Sequence, residues 1–325
     1  MRSVEILQPG IQTTVQDYPG RRGMLAKGFF PAGPMDHLAH RAANLLVGNA
    51  EDAATLEITL GGFRLRFDAG ATVAVCGAEA PLTVDGEPAA LWETSRVPAG
   101  AELAIGIAPG PGFRLYLAVD GGIDVPPLLG SRATYTMGAL GGHEGRPLQA
   151  GDRLPLGPPG DGAGRRFRED ARPGYAREWE VRAMRGPLAA PDYLTEADVE
   201  TLFGRAWSID RNSNRTGIRL ESHKFEWARR SGGIAGGHPS NILDNSYPVG
   251  ALNVNGDLPV ILGPDGPTAG GFLVAATVVH ADFWKIGQFR PVGDTVRFRE
   301  VTLEEAIEAD RVLDESLTET SLEAA

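Results

Sequence analysis

The chain has 325 residues, 42% hydrophobic and 22% charged, enough for two ordinary domains and normal for a soluble globular protein. Its 42 acidic residues against 31 basic ones, a net charge of −11, exclude a nucleic-acid surface, which needs a basic stripe, and no apolar run reaches the roughly 18–20 residues of a membrane span. The single cysteine, Cys76, excludes an internal disulfide and a multi-thiolate metal site; together with an N-terminus lacking the apolar core of a signal peptide, it leads us to expect a cytoplasmic protein.

Short β-like segments run the length of the chain: VEIL, TLEITL, FRLRF, TVAVCG, ELAIGI and FRLYLAV, then VRAM, GIRLE, ALNVN, LPVILG, FLVAATVV and TVRFRE. Gly, Pro and Asp turns separate them at the spacing of barrels or sandwiches. Cys76, within TVAVCGA, reads as a buried structural thiol. Helices are few. DHLAHRAANLLVG is one, with Asp36 as N-cap and an apolar stripe at Leu38, Ala42, Leu45 and Leu46; TEADVETLFG is another, capped by Thr195. Residues 158–178, rich in Gly, Pro and charge, read as a linker. AGDRLPLG before it and VGDTVRFR near residue 295 close two similar halves, 1–157 and 179–300. The fold class expected is mainly β, with two related β-barrel domains. Residues 301–325 read as a short acidic helix fading into disorder.

Three constellations stand out. In QTTVQDYPGRRGM, residues 12–24, Gln12, Asp17 and Arg21 surround a Pro-Gly turn, which suits a planar polar group but also a salt-bridged surface turn. In LGSRATYTMGALGGHEGRPLQAGD, residues 129–152, Ser131, Arg132, Thr134, His143 and Arg146 sit among glycines. The densest is 212–272, where Asn212, Asn214, Arg215, His238, Ser240, Asn241, Asp244, Asn245 and Asp265 alternate with apolar strand-like pieces. So many polar groups cannot form a packed core, and the pattern reads as loops held by strands around a small polar ligand. Lys285, among Phe283, Trp284 and Phe289, is either a desolvated ammonium near that site or a snorkelling surface lysine. There is no phosphate loop, no G-x-S-x-G elbow and no metal-ligand spacing, so no metal is expected.

The motifs GIQTTVQDYPGR, GPMD, AANLLVGN, LEITLGG, YLAVDGGIDVP, LGSRATYT and GGHEGR resemble the allophanate hydrolase subunit 2 and urea amidolyase-related family, over about residues 4–300. That family forms subdomains A and B of biotin-dependent carboxyltransferases and includes a 5-oxoprolinase subunit and a non-catalytic regulator. NSNRTGIRLE, HPSNILDN, GDLPVILGPDGP, GGF and WKIGQ look most like the carboxyltransferase region of urea carboxylase, and the D-R-Q-T-T-G-G-Y of the 5-oxoprolinase type is absent. The resemblance implies cyclophilin-like barrels and transfer of CO2 from carboxybiotin to a nitrogen of urea, guanidine or a small amide. No M-K-M-type biotinylation site and no nucleotide-binding domain are present. The implied arrangement is therefore a split, ATP-using complex with a companion carboxyltransferase subunit, a biotin carboxylase and a biotin carrier, the chain being inactive alone. On this reading Asp244 and Asp265 accept N–H bonds from urea, while Asn212, Asn214, Asn241 and Asn245 read its carbonyl and amides. Arg215, or Lys285 if it points inward, stabilises negative charge on the biotin oxygen. Gln12, Asp17, Arg21, His238 and Ser240 complete the expected substrate contacts. An ATP-dependent 5-oxoprolinase subunit and a regulatory binding protein stay open as alternatives.

Overall fold

The structure, a computed structural model, describes residues 2–160, 162 and 164–325. It is mostly β, with four α-helices among the described residues: α1 (His37–Leu46), α2 (Glu196–Gly204), α3 (His280–Gln288) and α4 (Leu303–Ser316). The chain divides into two compact units. One runs to Tyr175 and takes back Asp314–Ala325, and the other is Ala176–Leu313.

Two antiparallel sheets build the first unit. In one, Arg153–Pro155, Ser3–Pro9, Phe63–Phe67, Glu102–Ile105, Leu82–Val84 and Glu87–Ala89 lie in that order; in the other, Gln12–Gln16, Thr55–Thr59, Arg114–Val119, Ala71–Gly77 and Thr94–Val97. Period-two alternation places the core between them. Phe63, Leu65 and Phe67 point inward while Arg64 and Arg66 stay exposed. Across from them Leu56, Ile58, Val73, Val75, Leu115 and Leu117 supply the facing layer. Each of these large side chains contributes roughly 1.5–3 kcal/mol by leaving water.

The second sheet is buried on its other face too, because α1 packs over Ala71–Gly77 and Arg114–Val119. Asp36 caps that helix, its carboxylate accepting from the Ala39 N–H at 2.8 Å. The layer under α1 is polar. Glu57 accepts from the Tyr116 hydroxyl (2.6 Å) and the Met35 N–H (2.9 Å), and the Asp36 N–H donates to the Tyr116 oxygen at 2.7 Å. Fully buried His40 pairs its Nδ1 with Thr55 Oγ1 (2.9 Å) and its Nε2 with the Glu51 carbonyl (3.1 Å).

One sheet dominates the second unit, in the order Trp207–Ser208, Thr295–Glu300, Glu178–Arg185, Ala269–Val278, Ala251–Asn255, Leu258–Leu262 and Gly217–Arg219. Asn241–Ser246 pairs separately with the start of Ala269–Val278. The opening and closing strands are neighbours in both units. They run antiparallel in the first and parallel in the second, so the two halves do not share one connectivity.

The chain ends and the expected linker differ from the sequence reading. Residues 158–178 contain a strand, Arg165–Phe167, and a 3-10 turn, Glu169–Ala171. Phe167 is buried edge-on against Trp92 at 5.7 Å. The C-terminal segment does not fade out after α4. Leu322–Ala324 pairs with Arg165–Phe167 in the first unit, and Ala306, Ala309 and Leu313 give α4 a buried stripe. Three-residue strands are too short to show a period, and one Phe among charges carries little pattern.

Burial lowers the pKa of His40 from its ordinary 6.5 to about 4. Between those values the unfolded chain binds the proton and the folded chain does not, so stability falls as pH drops through that window, by on the order of 3 kcal/mol in full. Denaturant unfolding at pH 7 and pH 4.5 should therefore show a larger acid loss in the wild type than in His40→Gln.

Candidate functional site

In the first unit, the two glycine-rich constellations meet. The carboxylate of Asp17 accepts from Ser131 Oγ at 2.6 Å and from the Arg132 N–H at 2.5 Å. Arg21, 2% exposed, donates to the Ala133 carbonyl, and its own N–H donates to the Pro31 carbonyl at 2.7 Å. Thr134 returns its N–H and hydroxyl to the Val15 carbonyl, both at 2.9 Å. Burial raises the Asp17 pKa against the opposing Ser131 and Arg132 hydrogen bonds and the Arg21 charge. Asp17 and Arg21 thus brace residues 131–134 beside the strand Gln12–Gln16, whose first residue, Gln12, is half-buried. They are not exposed to a ligand. Gly141 is required here, since a Cβ would stand 2.1 Å from Arg21 Nη2 and 2.2 Å from the Ala133 carbonyl oxygen.

In the second unit, the expected residues separate into four groups. Arg215 and Asp265 form a buried fork, Nε to Oδ2 at 2.8 Å and Nη2 to Oδ1 at 2.9 Å. The Asp265 N–H also returns to the Arg215 carbonyl at 3.3 Å. Their charges are spent on each other, which corrects their assignment as substrate-facing groups. Asn212 and Asn214 are taken up locally. The Asn212 amide and N–H both reach Asp210 Oδ1 at 2.8 Å, and Asn214 Oδ1 accepts from the Thr216 N–H at 2.8 Å.

Lys285 is elsewhere. It lies on α3, where its Nζ donates to the Glu180 carbonyl at 3.0 Å and pairs with Asp282 at 3.1 Å. Asn241 faces Phe272 in the sheet, six residues before Val278, which faces Ala183, itself three residues after Glu180. Lys285 thus meets the opposite end of that strand pairing from Asn241, and its charge is held by Asp282. Burial raises the Asp282 pKa, but the Arg182 hydrogen bonds and the Lys285 charge outweigh it and hold the group below the usual carboxylate range.

The remaining group, His238, Ser240, Asn241, Asp244 and Asn245, stays together. Ser240 is fully buried; its Oγ accepts from the Gly256 N–H at 3.0 Å and lies 2.8 Å from His238 Nδ1. Arg229, which the sequence does not single out, locks this segment. It donates to the Pro239 carbonyl at 2.8 Å and to the Asn241 carbonyl at 2.5 Å, and stacks over the Tyr193 ring at 4.2 Å. Gly232 and Gly236 let the 229–236 loop lie against Asn241, since their Cβ atoms would come within 2.8 Å and 2.3 Å of its side chain. The result is a cleft of about 370 Å³ lined by Tyr193, Arg229, Ile242, Leu243, Asp244 and Asn245 among others. Asp244 is exposed at its rim; its Oδ1 accepts only a local N–H, from Asn245 at 3.0 Å. The one signal for Arg229 in sequence is its place in WARRSGG, directly before the glycines. Among the described residues, no group of three or more His, Cys, Asp or Glu is arranged to hold a metal ion.

The family model for the carboxyltransferase domain, subdomain A and B, matches residues 27–300. The chain belongs to this family. It is 41% identical over 305 residues to urea amidolyase of Lachancea kluyveri, covering 90% of this chain but 17% of that protein. It is 35% identical over 314 residues to a 5-oxoprolinase subunit of Escherichia coli, covering 94% of each. The crystal structure of Kluyveromyces lactis urea carboxylase matches 99% of this chain and 30% of its own, with 39% identity and a TM-score of 0.94. This carboxyltransferase-family chain thus spans less than a third of the urea amidolyase and urea carboxylase proteins it matches.

Removing Arg215 leaves the buried Asp265 carboxylate with its main counter-charge gone, a change that costs about 3–5 kcal/mol. Arg215→Met is expected to lower the denaturation midpoint accordingly, and Arg215→Lys to recover only part of it, because an ammonium cannot reproduce the fork. The double variant Arg215→Met/Asp265→Leu should be more stable than Arg215→Met alone.

Proposed function

We propose that this chain is a subunit of a biotin-dependent carboxyltransferase that delivers CO2 to a nitrogen of urea or a urea-like small molecule. The observation that carries the reading is the match to urea carboxylase: 39% identity and a TM-score of 0.94 over 99% of the chain. The 238–245 cleft suits it chemically. The Asp244 carboxylate and the Asn245 amide complement the planar N–H and carbonyl pattern of a ureido group, and Leu243 and Ile242 provide an apolar wall. The Asn245 amide likewise suits the ureido ring of biotin and is the group of this cleft that would hold it, leaving Asp244 to the substrate. Carboxybiotin, when bound, supplies the activated CO2.

The chain's own contribution is positioning and electrostatics. Asp244 accepts N–H bonds from the substrate and orients its nitrogen. Arg229 positions the backbone of 239–241. Arg215 and Asp265 hold the neighbouring turn. A companion carboxyltransferase subunit, a biotin carboxylase and a biotin carrier complete the assembly, and ATP is consumed on those chains in a cytoplasmic complex.

A second reading has its own support. The chain spans 94% of the Escherichia coli 5-oxoprolinase subunit at 35% identity, a protein of matching length. Reconstitution with co-purifying partners separates the two. Bicarbonate- and ATP-dependent turnover of urea or guanidine that avidin abolishes is expected; turnover of 5-oxoproline that resists avidin would replace the first reading with the second. In the active complex, Asp244→Asn should lower kcat/KM at least about tenfold, the loss of roughly one charged hydrogen bond, with the thermal midpoint unchanged. Lys285→Met should stay within about twofold of wild type.

A further inference from the structure

His238 is held from two sides. Asp198, three residues after the N-cap of α2, is buried and accepts from the Thr195 N–H (3.0 Å), the Glu226 N–H (2.9 Å) and the Trp227 N–H (3.1 Å). That fixes Trp227 at a φ of 61°, a left-handed conformation costly for an aromatic residue. The imidazole of His238 stands edge-on to the Trp227 ring, centroids 5.4 Å apart and planes at 90°. On its other side, the Ser240 N–H donates to His238 Nδ1 at 3.1 Å. The Ser240 hydroxyl, already accepting from the Gly256 N–H, lies 2.8 Å from the same nitrogen.

A proton on Nδ1 would meet the Ser240 N–H head-on, so Nδ1 is the acceptor and the neutral ring carries its proton on Nε2. We infer that His238 serves this site as a fixed hydrogen-bond donor through Nε2–H, to a carbonyl or developing oxyanion of the substrate, and not as a general base. The inference rests on the carboxyltransferase reading for its substrate, while the tautomer stands on the geometry alone. His238 is exposed, four residues before Ile242 of the cleft lining, and with Nδ1 turned to Ser240 the Nε2 edge is the one left for a ligand. A base at this position would need an unprotonated nitrogen directed at the substrate, and the unprotonated one is turned inward to Ser240.

The test has two parts. Long-range proton–nitrogen NMR on the full chain labelled with 15N-histidine, with the His238 signal assigned by its loss in His238→Gln, should show Nδ1 unprotonated and Nε2 protonated at neutral pH. A protonated Nδ1 overturns the inference. In the reconstituted complex, with urea as substrate, His238→Gln keeps an N–H donor near the Nε2 position and should stay within about threefold of wild type in kcat/KM. His238→Ala should lose roughly tenfold to a hundredfold. Equal losses in the two variants, or none in His238→Ala, overturn the donor role. Failure of the functional reading looks different: the wild-type complex itself would not carboxylate urea, and the donor role would fall with it.

Discussion

A buried polar group without a partner costs more than most single contacts contribute, and this chain buries many of them. Asp17, Glu57, Asp198, Ser240 and Asp265 are all nearly sealed from water; the first four accept backbone N–H groups from other segments, and Asp265 accepts the Arg215 guanidinium. The hydrophobic layers between the sheets supply most of the driving force, but they are indifferent to how the loops lie. The buried carboxylates and hydroxyls are not. Asp17 accepts the Arg132 N–H and Asp198 the Trp227 N–H, and these bonds give the loops their shape.

This logic divides the expected site residues into those that hold and those that present. Arg215 and Asp265 neutralise each other in the interior; Asp17 and Arg21 spend their bonds on residues 131–133. Such groups are poor ligands for a small molecule because exchanging an internal partner for a substrate gains little. Asp244 and His238 are exposed, on a segment fastened beneath by Ser240 and Arg229. Rigid backbone under exposed polar side chains is what positioning catalysis requires. An exposed Ile234 and Leu243, 91% and 72% accessible, border the same cleft.

Family membership and fold agree with this division. The chain aligns with carboxyltransferase subdomains A and B over most of its length, and its fold superposes on the corresponding part of urea carboxylase. Relatives named for urea and for 5-oxoproline both align with most of this chain, so membership of the family does not by itself separate the two activities.

Local periodicity and capping chemistry are short-range, and they were legible in the sequence. The alternation of FRLRF, the Asp36 cap of α1 and the Thr195 cap of α2 all follow from neighbours within four residues. The dense polar stretch around 238–245 was legible too, because Gly, Asn and Asp at that frequency cannot form core. What no local pattern contains is the pairing of distant residues: Asp17 with Ser131, Arg215 with Asp265, Arg229 with the carbonyls of 239 and 241, and Leu322–Ala324 with Arg165–Phe167. Lys285 shows the same limit. Its aromatic neighbours suggested a site, but the direction of α3 sends its ammonium to Asp282 and Glu180. Sequence by itself determined which residues want burial and which want a partner; only the tertiary structure decided which partner, because that choice depends on strand order and register set by the whole chain.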